Sequence, residues 1–148
     1  MKKFTHTFFV CMVSITCIGF TQKALAQEPA NHVFHVITWY SVEGMDSVAR
    51  AERNAMLKEY FTKVTMKNEF VIHQWNMSHY FSEDSRELIM ITEYASWADI
   101  EKAFDRNDQL EIQAWPNEAK RREFNKKMMG YFTHHKDAVY HDLGSMTK

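Results

Sequence analysis

Cysteine, proline and glycine are all scarce in this chain, at two, two and four of 148 residues. Both cysteines, Cys11 and Cys17, fall in the first 26 residues. The remainder therefore has no disulfide framework and no thiolate metal site. So few prolines and glycines leave no flexible linker or low-complexity tract, and a single domain is expected. Neither sign of charge dominates, with 18 Lys and Arg against 19 Asp and Glu. No apolar run reaches the roughly 20 residues that a membrane-spanning helix requires.

What is present first is a leader. The segment "MKKFTHTFFVCMVSITCIGFTQKALA" starts with Lys2 and Lys3, continues through an apolar stretch over residues 8–20, and closes in Ala24-Leu25-Ala26. That order is expected of a secretory signal peptide, residues 1–26, cleaved after Ala26. Residues 27–148 then form the exported domain, periplasmic or secreted, with no stable membrane span. Cleavage removes Lys2, Lys3 and Lys23 and no acid, which takes the net charge from −1 to −4. An acidic balance disfavours a nucleic-acid partner.

Within the domain, "VFHVITWYSV" (33–42) is rich in β-branched and aromatic residues and reads as a first strand;. Asp46 or Ser47 caps a helix in which Leu57, Tyr60, Phe61 and Val64 recur at i, i+3, i+4, i+7, to about Met66;. "FVIHQWNMSHYF" (70–81) and "ELIMITEYA" (87–95) read as a hairpin around the polar turn "SEDSR";. Ser96 with Asp99 suggests a capping box for a second helix;. That helix is expected to falter in "DRNDQ" (105–109) and to restart at Pro116;. Its end is placed at "THHKD", where His134 and His135 would complement the helix dipole, and "AVYHDL" (138–143) is the last strand;.

The order is β-α-β-β-α-β, so the expected fold class is α+β, ferredoxin-like, with a four-stranded antiparallel sheet and its helices on one face. Both alternating sets of the first strand, His35/Ile37/Trp39 and Phe34/Val36/Tyr40, are largely apolar. The sheet's second face must then be covered as well. In "VFHVITWYSV", the pair "FVIHQWNMSHYF" and "ELIMITEYASWADIEKAF", and the closing "AVYHDL", the chain resembles the dimeric α/β-barrel superfamily, which includes the antibiotic-biosynthesis-monooxygenase type domains. The resemblance implies a homodimer paired sheet to sheet, with a ligand held between sheet and helices. Members include cofactor-independent oxygenases, isomerases and haem-using enzymes.

Seven histidines remain after the leader, and none forms a metal-binding helix motif;. His73, Trp75, Met77 and His79 alternate onto one face of the second strand, and Glu93 interrupts the apolar third. A cluster of His35, His73 and Glu93, with His141 as a further candidate, could move a proton or hold a metal or haem. Packed or hydrogen-bonded histidines are the plainer alternative, with Glu93 paired to an arginine or tyrosine. Trp39, Trp75, Tyr94 and His79 are the candidates for contacts to an aromatic substrate. The expected function is an exported protein that binds a small apolar or aromatic molecule, with His35, His73 and Glu93 as the proton-handling groups of a monooxygenase-like or isomerase-like enzyme. No metal and no obligatory cofactor are expected. The alternative is a non-catalytic module that binds haem or a hydrophobic ligand, or only dimerises.

Overall fold

In the computed structural model, which describes residues 31–144, one antiparallel sheet carries three α-helices on one face. The expected leader, residues 1–26, lies outside the described residues. The strands are β1 (Val33–Ser41), β2 (His73–Ser78), β3 (Glu87–Tyr94) and β4 (Phe132–His141), in the spatial order β2-β3-β1-β4. The helices are α1 (Ser47–Lys63), α2 (Trp97–Ala114) and α3 (Glu118–Met129). This is the ferredoxin-like α+β arrangement expected from the element order.

Local chemistry sets the helix starts. Asp46 caps α1 by accepting from the Ala49 amide at 2.8 Å, and Asn117 caps α3 by accepting from Lys120 at 3.0 Å;. Ser96 occupies the cap position of α2, but its hydroxyl is 2.6 Å from the Asp99 carboxylate instead of serving the backbone. The capping box expected there is thus not made, and a side-chain bond between its two residues stands in its place;.

Two expectations need correction. First, α2 runs unbroken through "DRNDQ", because Ile100, Ala103 and Leu110 are buried along one stripe that propensity alone does not weigh;. Asn68, itself buried, holds that helix in place by donating to Ala103 O and Asn107 Oδ1, each at 2.8 Å. Second, α3 stops at Met129, and Gly130, placed inside the helix by the sequence pattern, is its C-cap. His134 and His135 are strand residues paired with Tyr40 and Trp39, not helix-end cations. The open edge of β1 presents a full row of backbone donors and acceptors, and β4 satisfies it from Phe132 onward;.

Strand β2 is also shorter than its apolar run. Phe70 and Val71 leave the sheet to pack on the small core of Val33, Tyr94, Ile100 and Ala103. At the other end, Tyr80 and Phe81 are 98% and 96% exposed in the turn.

The ladders sort every strand residue to a face. His35, Ile37 and Trp39 of β1 lie with Met90, Thr92 and Tyr94 of β3 under the helices. Opposite them, Phe34 pairs with Glu93 and Tyr140, Val36 with Ile91 and Ala138, and Thr38 with Ile89 and Lys136. His73, Trp75 and Met77 extend these rows on the same outer face.

Candidate functional site

Between the sheet and the helices lies a cavity of about 380 Å³. Its floor is His35, Ile37, Trp39, Met90, Thr92 and Tyr94; its roof includes Tyr60 and Phe61 of α1, Phe104 and Glu111 of α2, and Asn125 and Met128 of α3. A predominantly apolar wall with a few convergent polar groups, at this volume, is typical of a small-molecule site.

The polar groups form two sets. On the floor, His35 is 7% exposed and its Nε2 lies 2.9 Å from Asp137 Oδ1. The other carboxylate oxygen of Asp137 is 3.0 Å from His135 Nε2. An ionised carboxylate only accepts, so His35 donates from Nε2 and a neutral ring keeps its lone pair on Nδ1. Phe104 meets the His35 ring edge to face, with centroids 5.9 Å apart. The His135 ring packs on Trp39 at a tilt of 40°, with centroids 4.4 Å apart, and continues the row toward solvent.

In the roof, Tyr60 donates its hydroxyl to Glu111 Oε1 at 2.8 Å, and Asn125 donates its amide to Glu111 Oε2 at 3.0 Å. Burial, reinforced by the charge and hydrogen bond of Glu111, pushes the Tyr60 phenol far above its ordinary range;. Burial also raises Tyr94, against a smaller opposing hydrogen bond with Thr92. Both phenols therefore stay protonated at neutral pH. Two wall residues carry buried polar atoms without a partner, Trp39 Nε1 and Asn125 Oδ1. Such an atom costs about 1–3 kcal/mol unless something completes its bonding.

The structure divides the residues expected to form the site. His35, Trp39 and Tyr94 line the cavity. His73, Trp75 and Glu93 lie across the sheet on the outer face, in ladder with one another and with Ile91. His79 is beyond β2, its Nδ1 bonded to Ser82 Oγ at 2.9 Å. The suggested cluster of His35 with His73 and Glu93 is therefore not assembled within the chain. Glu93 is 8% exposed and is held between His32 and His73, with His73 Nδ1 at 2.8 Å. It is a paired carboxylate, and its partners are histidines and not the arginine or tyrosine expected. His141 ends β4 opposite Val33 and is exposed.

Sequence reasoning missed Glu111, Tyr60, Asn125 and Asp137. Glu111 and Asn107 share a face only if α2 is continuous, and Asp137 faces His35 only if β4 begins six residues early. Among the described residues no group of three His, Cys, Asp or Glu side chains is arranged to hold a metal ion. No helix there is long and apolar enough to cross a membrane.

Among solved structures, the chain is similar to SnoaB, a cofactor-independent oxygenase from Streptomyces nogalater, with a TM-score of 0.53 at 8% identity over 80% of this chain and 100% of that one. It is also similar to a nipsnap family protein of unknown function from Agrobacterium tumefaciens, with a TM-score of 0.52 at 9% identity over 76% and 89% of the two chains. A conserved protein from Methanosarcina mazei gives 0.50 at 12% identity over 76% and 94%. No protein-family model matches the sequence, nor does any curated protein. At these identities the likeness is one of fold: the ferredoxin-like α+β arrangement that the element order implied;.

Proposed function

We propose that residues 27–148 form an exported homodimer that binds a small apolar or aromatic molecule in the cavity of each subunit. The observation that carries the reading is the cavity of about 380 Å³ with the buried His35–Asp137 pair in its floor. A histidine fixed by a carboxylate and shielded from water is suited to take a proton from an acidic C–H or O–H of a bound molecule. That is the step a monooxygenase-like or isomerase-like enzyme without a cofactor would need from the protein. The similar oxygenase supports the fold of such an enzyme and not its chemistry here.

Haem does not suit this wall. The one histidine in it, His35, has Nε2 bonded to Asp137. The remaining Nδ1 is next to the ring's attachment to the strand, where a macrocycle would meet the sheet. His73 is outside the cavity, on the other face.

The dimer rests on the outer face. Its centre, Val36, Ile89, Ile91 and Ala138, carries no charge, and it continues into Trp75 and Met77, which a single chain leaves 44% and 43% exposed. A second copy laid on the same face would bury both patches by self-complementarity.

The test is fluorescence titration of the purified protein with naphthol, reading quenching of the tryptophans, Trp39 included. Saturable binding is expected, and Ile37→Trp, which fills the floor, should abolish it while costing about 1–3 kcal/mol in stability. Undiminished binding to the filled variant would place the ligand elsewhere and overturn the reading.

A further inference from the structure

The charge of the cavity wall selects among aromatic ligands. Among the described residues no lysine or arginine lines the cavity, whereas Asp108 and Glu111 both do. The nearby cations are turned elsewhere: Lys63 bonds Glu59 at 2.6 Å and lies over the Trp115 ring at 4.9 Å, and Arg121 donates to Trp115 O at 2.8 Å. A carboxylate or phosphate ligand would enter without a counter-charge and against two acids.

Hydrogen-bond polarity agrees with charge. Tyr60 and Asn125 both direct their donors at Glu111, so around that carboxylate the donors are already used. What remains at this end of the cavity is acceptor capacity: the lone pairs of Glu111 that those two bonds leave free, and Asn125 Oδ1, which is buried and unpaired; the other unpaired atom of the wall, Trp39 Nε1, is a donor and belongs to the floor;. Asp108, one turn earlier on α2 and exposed, adds negative charge at the rim. The complement to such a set is a group with several donors, positive charge and no acceptor. That describes an ammonium group. Tyr60, Phe61, Phe104 and Trp39 in the same wall supply π faces for the rest of the molecule and for the cation itself;.

We propose that the cavity takes an arylalkylamine, a primary amine joined to an aromatic ring through at least one methylene, with the ammonium group at Glu111 and Asn125 in the roof and the ring over the floor beside His35. The proposal rests on the cavity being the ligand site and adds the ligand's class. Glu111 is a binding residue in this scheme, and His35 remains available at the far end of the same molecule.

Calorimetry of the purified protein at neutral pH with three probes of one shape decides the matter: naphthylmethylamine, naphthylmethanol and naphthoate. The amine should bind about tenfold more tightly than the alcohol, and the naphthoate more weakly than either. Glu111→Gln should remove the amine's advantage, so that the variant binds amine and alcohol alike. Because Glu111 also anchors Tyr60 and Asn125, Asp108→Asn at the exposed rim serves as a second variant, with an expected loss of about two- to threefold for the amine alone. If alcohol and amine bind equally, or naphthoate binds best, the ammonium assignment is overturned while the cavity stands as a ligand site. Failure of all three probes to bind overturns both.

Discussion

His35 and His73 are each bonded to a carboxylate on the same sheet, but the burial is reversed. In the His35–Asp137 pair the histidine side chain is 9% exposed and the acid 45%; in the His73–Glu93 pair the histidine is 64% exposed and the acid 11%. The first pair offers a sheltered base to the cavity with its carboxylate toward solvent. In the second the acid is what is sheltered, and it is held by two histidines, His32 and His73. A buried carboxylate without those donors would be costly, so the second arrangement secures a sheet face and the first equips a pocket. The same two residue types serve different ends because alternation along a strand sends neighbours to opposite faces.

The largest effect is expected from a charge placed in the centre of the outer face. Ile91→Arg puts a guanidinium where Trp75 and Val36 flank it in ladder. If two copies meet there, burial of unpaired like charges should weaken association by more than about a hundredfold. Native mass would then fall from dimer to monomer, with naphthol binding retained in the cavity across the sheet. A variant that keeps its dimer would show that the copies associate elsewhere.

A smaller difference should separate the two carboxylates. Glu93→Gln leaves His32 and His73 with one acceptor between them and should cost about 1–3 kcal/mol in urea unfolding. Asp137→Asn, on an exposed side chain, should cost under about 1 kcal/mol. The order reverses in the cavity: only Asp137→Asn should move the His35 ring resonances in NMR spectra recorded at one pH, because only that acid contacts the ring. Equal destabilisation by the two substitutions would dissolve the distinction between the faces.

How much of this was legible in the sequence follows from the range of each interaction. Strand β1 and the junction of β3 with α2 could be read because their signals are local: β-branched runs, and a serine at the helix start. The dual apolar alternation of β1 was legible in the same way, and it corresponds to an outer face whose centre carries no charge. The boundary of β4 could not be read, since His134 and His135 look like a helix end until the demand of the β1 edge for partners is counted. The division of His35 from Glu93 was already implicit in strand parity, but which parity faces the helices depends on register, and register is fixed only across strands. Glu111 escaped for a similar reason. The buried contacts of Ala103 and Leu110 carry α2 through a polar stretch that, taken alone, reads as a break.

The β2–β3 turn lies outside both the cavity and the outer face, so it sets the scale for a change that touches neither. There Arg86 grips Asp84 through its guanidinium at 2.6–3.1 Å and its backbone amide at 2.9 Å. The Arg86 side chain first, then that amide, hold the Asp84 carboxyl down at about 2. A carboxyl depressed on folding adds stability that is fully present above its unfolded pKa of about 3.9. That contribution disappears as pH falls through about 2. The pair sits in a surface turn with Asp84 partly exposed, so the global effect should be slight and best read locally, as an Asp84 carboxyl titration in NMR with its inflection near 2 instead of near the ordinary aspartate value;. Arg86→Ala should return that inflection to the ordinary value and leave both native mass and naphthol binding unchanged. If it also altered either one, the turn, with Tyr80 and Phe81 almost fully exposed beside it, would have to be counted as part of the face it disturbed.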